Sequence, residues 1–359
     1  MQWEQAKLPV SMGGAGLRAA ADHAQVAFAT SYLASQTLVA DMLGHGADAE
    51  PDQPDPLPQP LLDAISARQG DEATTESLTG VTQKMASLKI DQQNQLLLLN
   101  YYSMEGDVRE IARLASVGLQ HAGDWLSVNP NPALGLHLRG PEFTLPLKYR
   151  LGIPLSSTPG TCPACSQPAD AMGDHALSCS HYGDRIARHD LVRDILYEAA
   201  SSAGLGPTKE APHLLPNSAA RPGDIFLRHW SRGKDAALDV TITSPLAASN
   251  MQGAAEEAGS SLRKAFERKL RGAAEVCREQ GLAFIPVAME TFGGLHTAAI
   301  DQLKQLGVAL ARRTGQEDQE ATRHLFQRVS LNLMKGNAAL FLARSLDEDQ
   351  IEARVDGRE

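Results

Sequence analysis

The chain has 359 residues, of which 43% are hydrophobic and 21% charged, with a formal net charge of −10. That length allows about two or three domains, and the acidity argues against a surface that is basic all over. No run of 18 apolar residues and no basic segment leading into an apolar one are present, so neither a membrane span nor a secretory leader is expected.

The acidity is uneven. Residues 1–100 carry five basic against twelve acidic side chains, whereas residues 181–280 carry 14 against 13. Residues 17–42 are alanine-rich with apolar residues at helical spacing, after a turn at Gly13–Gly16. Residues 45–60 hold five prolines and four acids and predict a linker. Helices are predicted at 61–69, 78–88, 90–104 and 107–118, the last capped by Asp107. Asn129–Pro132 is a turn cluster, ALGLHL (133–138) reads as a strand, and 141–153 mixes short apolar runs with proline. An amphipathic helix covers 187–204 and ends at Gly204. Two strands in 221–246 flank a turn at Ser231–Lys234. A long charged helix is predicted over 253–280, a buried strand over 282–291, and helix again over 296–345. Helix, strand, strand, helix, strand from 187 to 291 describes an α/β core on one mixed sheet.

Four cysteines are too few for a disulfide framework, and three of them fall within eighteen residues, which points to a metal in a reducing compartment. Cys162 and Cys165 are spaced C-x-x-C; His175 and Cys179 are spaced i and i+4, on one face of a helical turn. Three sulfurs and one nitrogen suit a closed, tetrahedral structural zinc site, and His181 is a spare ligand candidate. The competing reading is a chance cluster of reduced thiols. Cys277, alone in a charged helix, is expected to be a core thiol.

Asp224 and Asp239 are fifteen residues apart, a spacing that suits two hairpin strands. Facing carboxylates can hold Mg²⁺ or Mn²⁺ against a phosphodiester. The bland reading makes Asp224 a turn cap and Asp239 an isolated strand residue. An aspartate in an apolar strand is costly unless bound. A cation is needed as well. Position 241 is threonine, but the next helix offers Arg263, Lys264, Arg268, Lys269 and Arg271. Those residues also suit a solvated helix face paired with Glu256, Glu257 and Glu267.

Trp3–Arg18 resembles the stretch after the polymerase palm in non-LTR retrotransposon reverse transcriptases. The cysteine–histidine cluster with Gly173-Asp174-His175, then Arg188-His189-Asp190, Arg221-Pro222-Gly223-Asp224, Asp239-Val240-Thr241 and Glu290–Gly294, resembles the zinc knuckle and restriction-endonuclease-like nuclease of the same polyproteins. The likeness is concentrated in 1–40 and 150–294. It implies a fold with a helical N-terminal region, a small zinc knuckle, a PD-(D/E)XK-type mixed sheet flanked by helices, and a helical C-terminus. It also implies thumb-like helices over 1–44, the acidic linker over 45–60, a helical connector over 61–160, the knuckle over 161–181, the nuclease over 182–300 and closing helices over 301–359.

In that family Asp224 and Asp239 would be the metal carboxylates. The active-site lysine moves to the following helix as K-x-x-K; Lys269 matches its first position, and Gly272 departs from its second. The resemblance implies nicking of double-stranded DNA to prime reverse transcription, element RNA as a further partner, and action in the nucleus. Arg188, His189, Arg221, Lys264, Arg268 and Arg271 are the candidate nucleic-acid contacts. No Asp-Asp dipeptide is present to serve a polymerase, so reverse transcription is not expected. The alternative function is a catalytically decayed nucleic-acid-binding module with a structural zinc.

Overall fold

In the computed structural model the described residues are 1–42, 55–215, 221–231 and 233–344. They form an α+β protein with a four-stranded mixed sheet and a two-stranded antiparallel one. The chain divides into two compact units, Met1–Glu105 and Gly106–Glu359. The boundary falls inside the segment expected as a connector. Most of the predicted linker, 45–54, and the end of the C-terminal segment, 345–359, lie outside the described residues. Among the described residues no helix is long and apolar enough to cross a membrane.

The first unit is helical: α1 (Gln2–Lys7), α2 (Ala20–Met42), α3 (Gln59–Gln69), α4 (Thr75–Leu78) and α5 (Gln83–Met104). The glycine turn before α2 is a close approach, since a Cβ on Gly14 would sit 2.0 Å from the Leu8 carbonyl oxygen. Val26, Ala29 and Leu33 of α2 meet Ile65, Leu78, Ala86 and Ile90 in one apolar core. Asp91, 1% exposed, is held by the Arg18 guanidinium. The segments predicted as separate helices at 78–88 and 90–104 are mostly one helix, α5, because Thr82 caps its start by accepting from the Met85 N–H at 3.3 Å.

The second unit opens with α6 (Val108–Val117), capped by Asp107 as expected: its carboxylate accepts from the Glu110 N–H at 3.0 Å. Residues 133–138 are not a strand. Asn131 turns the chain by accepting from the Ala133 N–H, and Pro132–Leu134 forms a single 3-10 turn closed by Gly135 at φ 67°. Residues Gly140–Arg150 form α7, in spite of Pro146. Packing outweighs the lost hydrogen bond there: Tyr149 stacks on Phe292 with ring centroids 4.8 Å apart and touches Phe341 at 5.2 Å. The hairpin β1 (Gly160–Thr161) and β2 (Pro168–Ala169) and the short α8 (Asp174–Ser178) follow, then α9 (Asp184–Ser202).

The main sheet has the order β3-β4-β5-β6, with β3 (Thr208–Lys209), β4 (Ile225–Ser231), β5 (Lys234–Thr243) and β6 (Ala283–Glu290). The β4–β5 pair is the predicted antiparallel hairpin, and β5–β6 is parallel. Between β5 and β6 run α10 (Met251–Glu256) and α11 (Ser260–Glu279). The single helix predicted over 253–280 is broken because Gly259 takes φ 78° between them. The last pair, α12 (Thr297–Thr314) and α13 (Asp318–Ala343), is likewise divided at Gly315, φ 72°.

Alternation along β5 assigns its two faces. Leu238 and Val240 join Val192 and Leu196 of α9, Leu303 of α12 and Leu333 of α13 in the main core. Ala237, on the opposite face, packs with Cys277 of α11, which is the expected buried thiol. Asp239 shares the Ala237 face and therefore looks toward α11.

Candidate metal centre and carboxylate site

The four predicted zinc ligands converge. One sulfur each of Cys162, Cys165 and Cys179 and one ring nitrogen of His175 all lie within 4.8 Å of one another. Local geometry explains it. The β1–β2 hairpin folds Cys162 and Cys165 onto a tight turn, in which the Cys162 N–H donates to the Gln167 carbonyl and the Ser166 N–H to the Cys162 carbonyl, both at 2.9 Å. On α8, the Cys179 N–H donates to the His175 carbonyl at 2.8 Å and places both side chains on one side. The donor set fits tetrahedral zinc, in which metal–sulfur bonds of about 2.3 Å separate sulfurs by roughly 3.8 Å. His181 is not among the converging groups.

The surrounding contacts brace this centre. Asp170 accepts from the His175 N–H at 2.7 Å and the Asp174 N–H at 3.0 Å. Arg109 of α6 grips Asp174 through two hydrogen bonds of 2.6 and 2.9 Å. Burial opposes ionisation of Cys179, but Arg344, the His181 backbone and Cys165 together hold the thiol below its ordinary range.

The carboxylate site is assembled from more distant parts. Ile225 pairs with Leu238, so one step further along the antiparallel ladder Asp224 stands opposite Asp239. Like charges directly opposite destabilise a strand pair unless something compensates. Lys269 compensates: its Nζ lies 2.8 Å from Asp239 Oδ2. Ser261 at one end of α11 meets Glu290 beside Thr243, and Cys277 at the other packs on Ala237. Eight helical residues advance about 12 Å, as do about four strand residues, so Lys269 falls opposite Asp239. Burial and the neighbouring Asp224 raise the Asp239 carboxyl, against the opposing pull of Lys269.

Asp224 Oδ2 accepts from the Val240 N–H at 2.6 Å and lies 3.0 Å from His189 Nε2. The other ring nitrogen of His189 is 3.1 Å from Asp190 Oδ1. Burial disfavours the imidazolium, but the two carboxylates outweigh it and raise the histidine pKa. Beside this contact opens a cleft of about 570 Å³ lined by Arg185, Ile186, His189, Arg193, Val240 and Thr241.

The candidate nucleic-acid contacts separate. Arg188 is not available for one: it is 3% exposed, donates to Asn337 Oδ1 at 3.0 Å, and lies so close to Gly336 that a Cβ there would meet its Cγ at 2.5 Å. Burial pushes its pKa down to about 10. It is an interior strut between α9 and α13. Arg221, Lys264, Arg268 and Arg271 are exposed; Arg221 lies 3.4 Å from Glu210, and Lys264 donates to the Ser249 carbonyl at 3.2 Å. Arg263 makes the helix-face pairing, with two 2.6 Å hydrogen bonds to Glu257. Gly272 faces open space, so no packing requirement excludes a lysine there.

Two features escaped sequence reasoning. Glu210, whose N–H donates to the Asp224 carbonyl at 3.0 Å, gave no signal beyond being one acid among many. Glu290, read in the sequence only as part of a family-like motif, is fully buried, and burial pushes its carboxyl up to about 7 against a hydrogen bond from Ser261; its position at the end of an apolar strand was the available clue.

No protein-family model matches this sequence, and no curated protein matches it.

Proposed function

We propose that the second unit is a metal-dependent DNA endonuclease of the PD-(D/E)XK type, built on a structural zinc, and that the chain is the polymerase-lacking C-terminal part of a retrotransposon-like protein. The observation that carries this reading is Lys269 reaching Asp239 across from Asp224. The helix, hairpin, helix and parallel strand around them are the arrangement that such a nuclease would need.

Bound between Asp224 and Asp239, Mg²⁺ or Mn²⁺ would supply Lewis-acid stabilisation of the phosphoryl oxygens and lower the pKa of a bound water. The protein's own residues do the rest. The hairpin register sets the two carboxylates opposite each other. Val240 and His189 occupy one oxygen of Asp224 and leave the other for a cation. Lys269 offsets negative charge at the attacked phosphorus, where water oxygen forms the new bond and the 3′ oxygen departs, taking up a proton. The open cleft beside His189 gives a nucleic-acid strand room to approach. Exposed Arg268 and Arg271, on the same helix as Lys269, would meet the phosphate backbone of double-stranded DNA, and element RNA is a further partner by the same chemistry. By the family resemblance, that action would take place in the nucleus.

A second reading has its own support. Lys269 and His189 already compensate the two aspartates without a metal, and Thr241 and Gly272 stand where lysines would be expected. These suit a decayed nuclease that still binds nucleic acid. Conversion of supercoiled plasmid to open circle, with Mg²⁺ or EDTA, separates the two. Wild type is expected to nick only with Mg²⁺, and Asp239→Ala not at all; equal background in both proteins removes the enzyme reading.

A further inference from the structure

The zinc ligands lie within 162–179, yet one charged group beside them comes from the far end of the second unit. Three thiolates, one neutral imidazole and Zn²⁺ leave a net charge of −1 in a partly buried site, and such a charge needs a partner. Arg344, immediately after α13, has a side chain only 1% exposed. Its guanidinium donates to Asp184 Oδ2, the first residue of α9, at 2.7 Å and to the His181 carbonyl at 2.9 Å. The His181 carbonyl stands two residues past Cys179, so the guanidinium is anchored in the turn that leaves this zinc ligand. Thus one planar group ties the turn that follows Cys179 to the start of α9. A guanidinium suits this task because its donors diverge in a fixed fork.

The rest of α13 supports the same docking. Phe341 packs over Gly173, where a Cβ would meet its ring at 3.0 Å, and it lines with His175 and Arg344 a small cavity beneath the zinc loop. One turn earlier Asn337 donates to the Thr291 carbonyl at 2.7 Å and accepts from Arg188.

We propose that Arg344 is a positioning residue of the zinc centre, clasping the turn that follows Cys179, through the His181 carbonyl, to the N-terminus of α9. Zinc retention then depends on the docked end of α13, and by reciprocity zinc holds that end in place. The inference rests on zinc binding by the four ligands and is independent of nuclease activity.

The test uses the full chain loaded with one zinc, and follows transfer of the metal to a colorimetric chelator. Outer-sphere partners of metal ligands typically change affinity about 10- to 100-fold. Arg344→Gln is expected to weaken zinc binding by that factor. Arg344→Lys keeps the charge but loses the fork, and should fall between the two. Hydrogen exchange in residues 334–343 of the wild-type protein should accelerate when zinc is withdrawn. Should the Gln variant fail to fold, the Lys variant decides by its own shift. Wild-type zinc affinity in the variant that folds overturns the clasp while leaving the zinc centre intact. Unchanged exchange in 334–343 on zinc removal overturns it as well. A wild-type chain that holds no zinc removes the centre and the clasp together.

Discussion

The candidate zinc centre and the carboxylate site are built in opposite ways. The first takes four ligands from an 18-residue stretch, and one hairpin and one helical turn suffice to bring them together. The second draws Asp224 from the turn leading into β4, Asp239 from β5, and Lys269 and His189 from two helices, and depends on the whole sheet to align them. Thiols gathered this closely have few uses other than a metal. Carboxylates matched to a lysine and a histidine are already compensated and gain a function only when a cation displaces part of that network. A local site therefore announces its ligand, whereas a dispersed one announces only a geometry.

The contrast breaks most visibly at the zinc. Structural zinc contributes about 10–16 kcal/mol of apparent binding energy at neutral pH. Replacing Cys162 and Cys165 by serine is expected to abolish the one zinc per chain and to unfold 160–181, measured by metal analysis and hydrogen exchange. A metal-free double variant with native protection would make the cluster incidental.

Glu290 tests the difference between a sealed and an open carboxylate on the α11 face. Its folded-state pKa of about 7 lies above the ordinary 4.5. The native state thus binds the proton more tightly, and this stability is complete below about 4.5 and lost as pH rises through 7. Glu290→Gln should gain on wild type with rising pH, by about 3 kcal/mol between pH 4 and pH 8. Urea unfolding at the two pH values measures it. A pH-independent difference would show that the carboxyl titrates normally.

Gly272→Lys gives the smallest expected change and sharpens the reading of the site. Replacing glycine within an exposed helix stabilises by about 1 kcal/mol, and the new amine completes the K-x-x-K spacing. A higher nicking rate, with a slightly raised melting temperature, is expected. Added stability without added nicking would mean that position 272 supplies no active-site amine.

Legibility in the sequence followed the same division. The zinc ligands and the β4–β5 hairpin could be read because each depends on neighbours a few residues away. The placement of Lys269 against Asp239 came from the resemblance rather than from spacing, since it depends on how α11 crosses the sheet. Arg188 was misread as a surface contact because its exposure is decided by Gly336 and Asn337, in a helix far along the chain. The helix through Pro146 was missed because proline's local cost is visible in a sequence and its compensation, the packing of Tyr149 against Phe292 and Phe341, is not.

The central claim is that Asp224 and Asp239 together form a cation site distinct from the zinc. Titration of Mn²⁺ into zinc-loaded protein, followed by electron paramagnetic resonance, addresses it without relying on turnover. One Mn²⁺ bound per wild-type chain, and none at that site in Asp239→Ala, is the predicted result. Equal Mn²⁺ binding by the two proteins would contradict it.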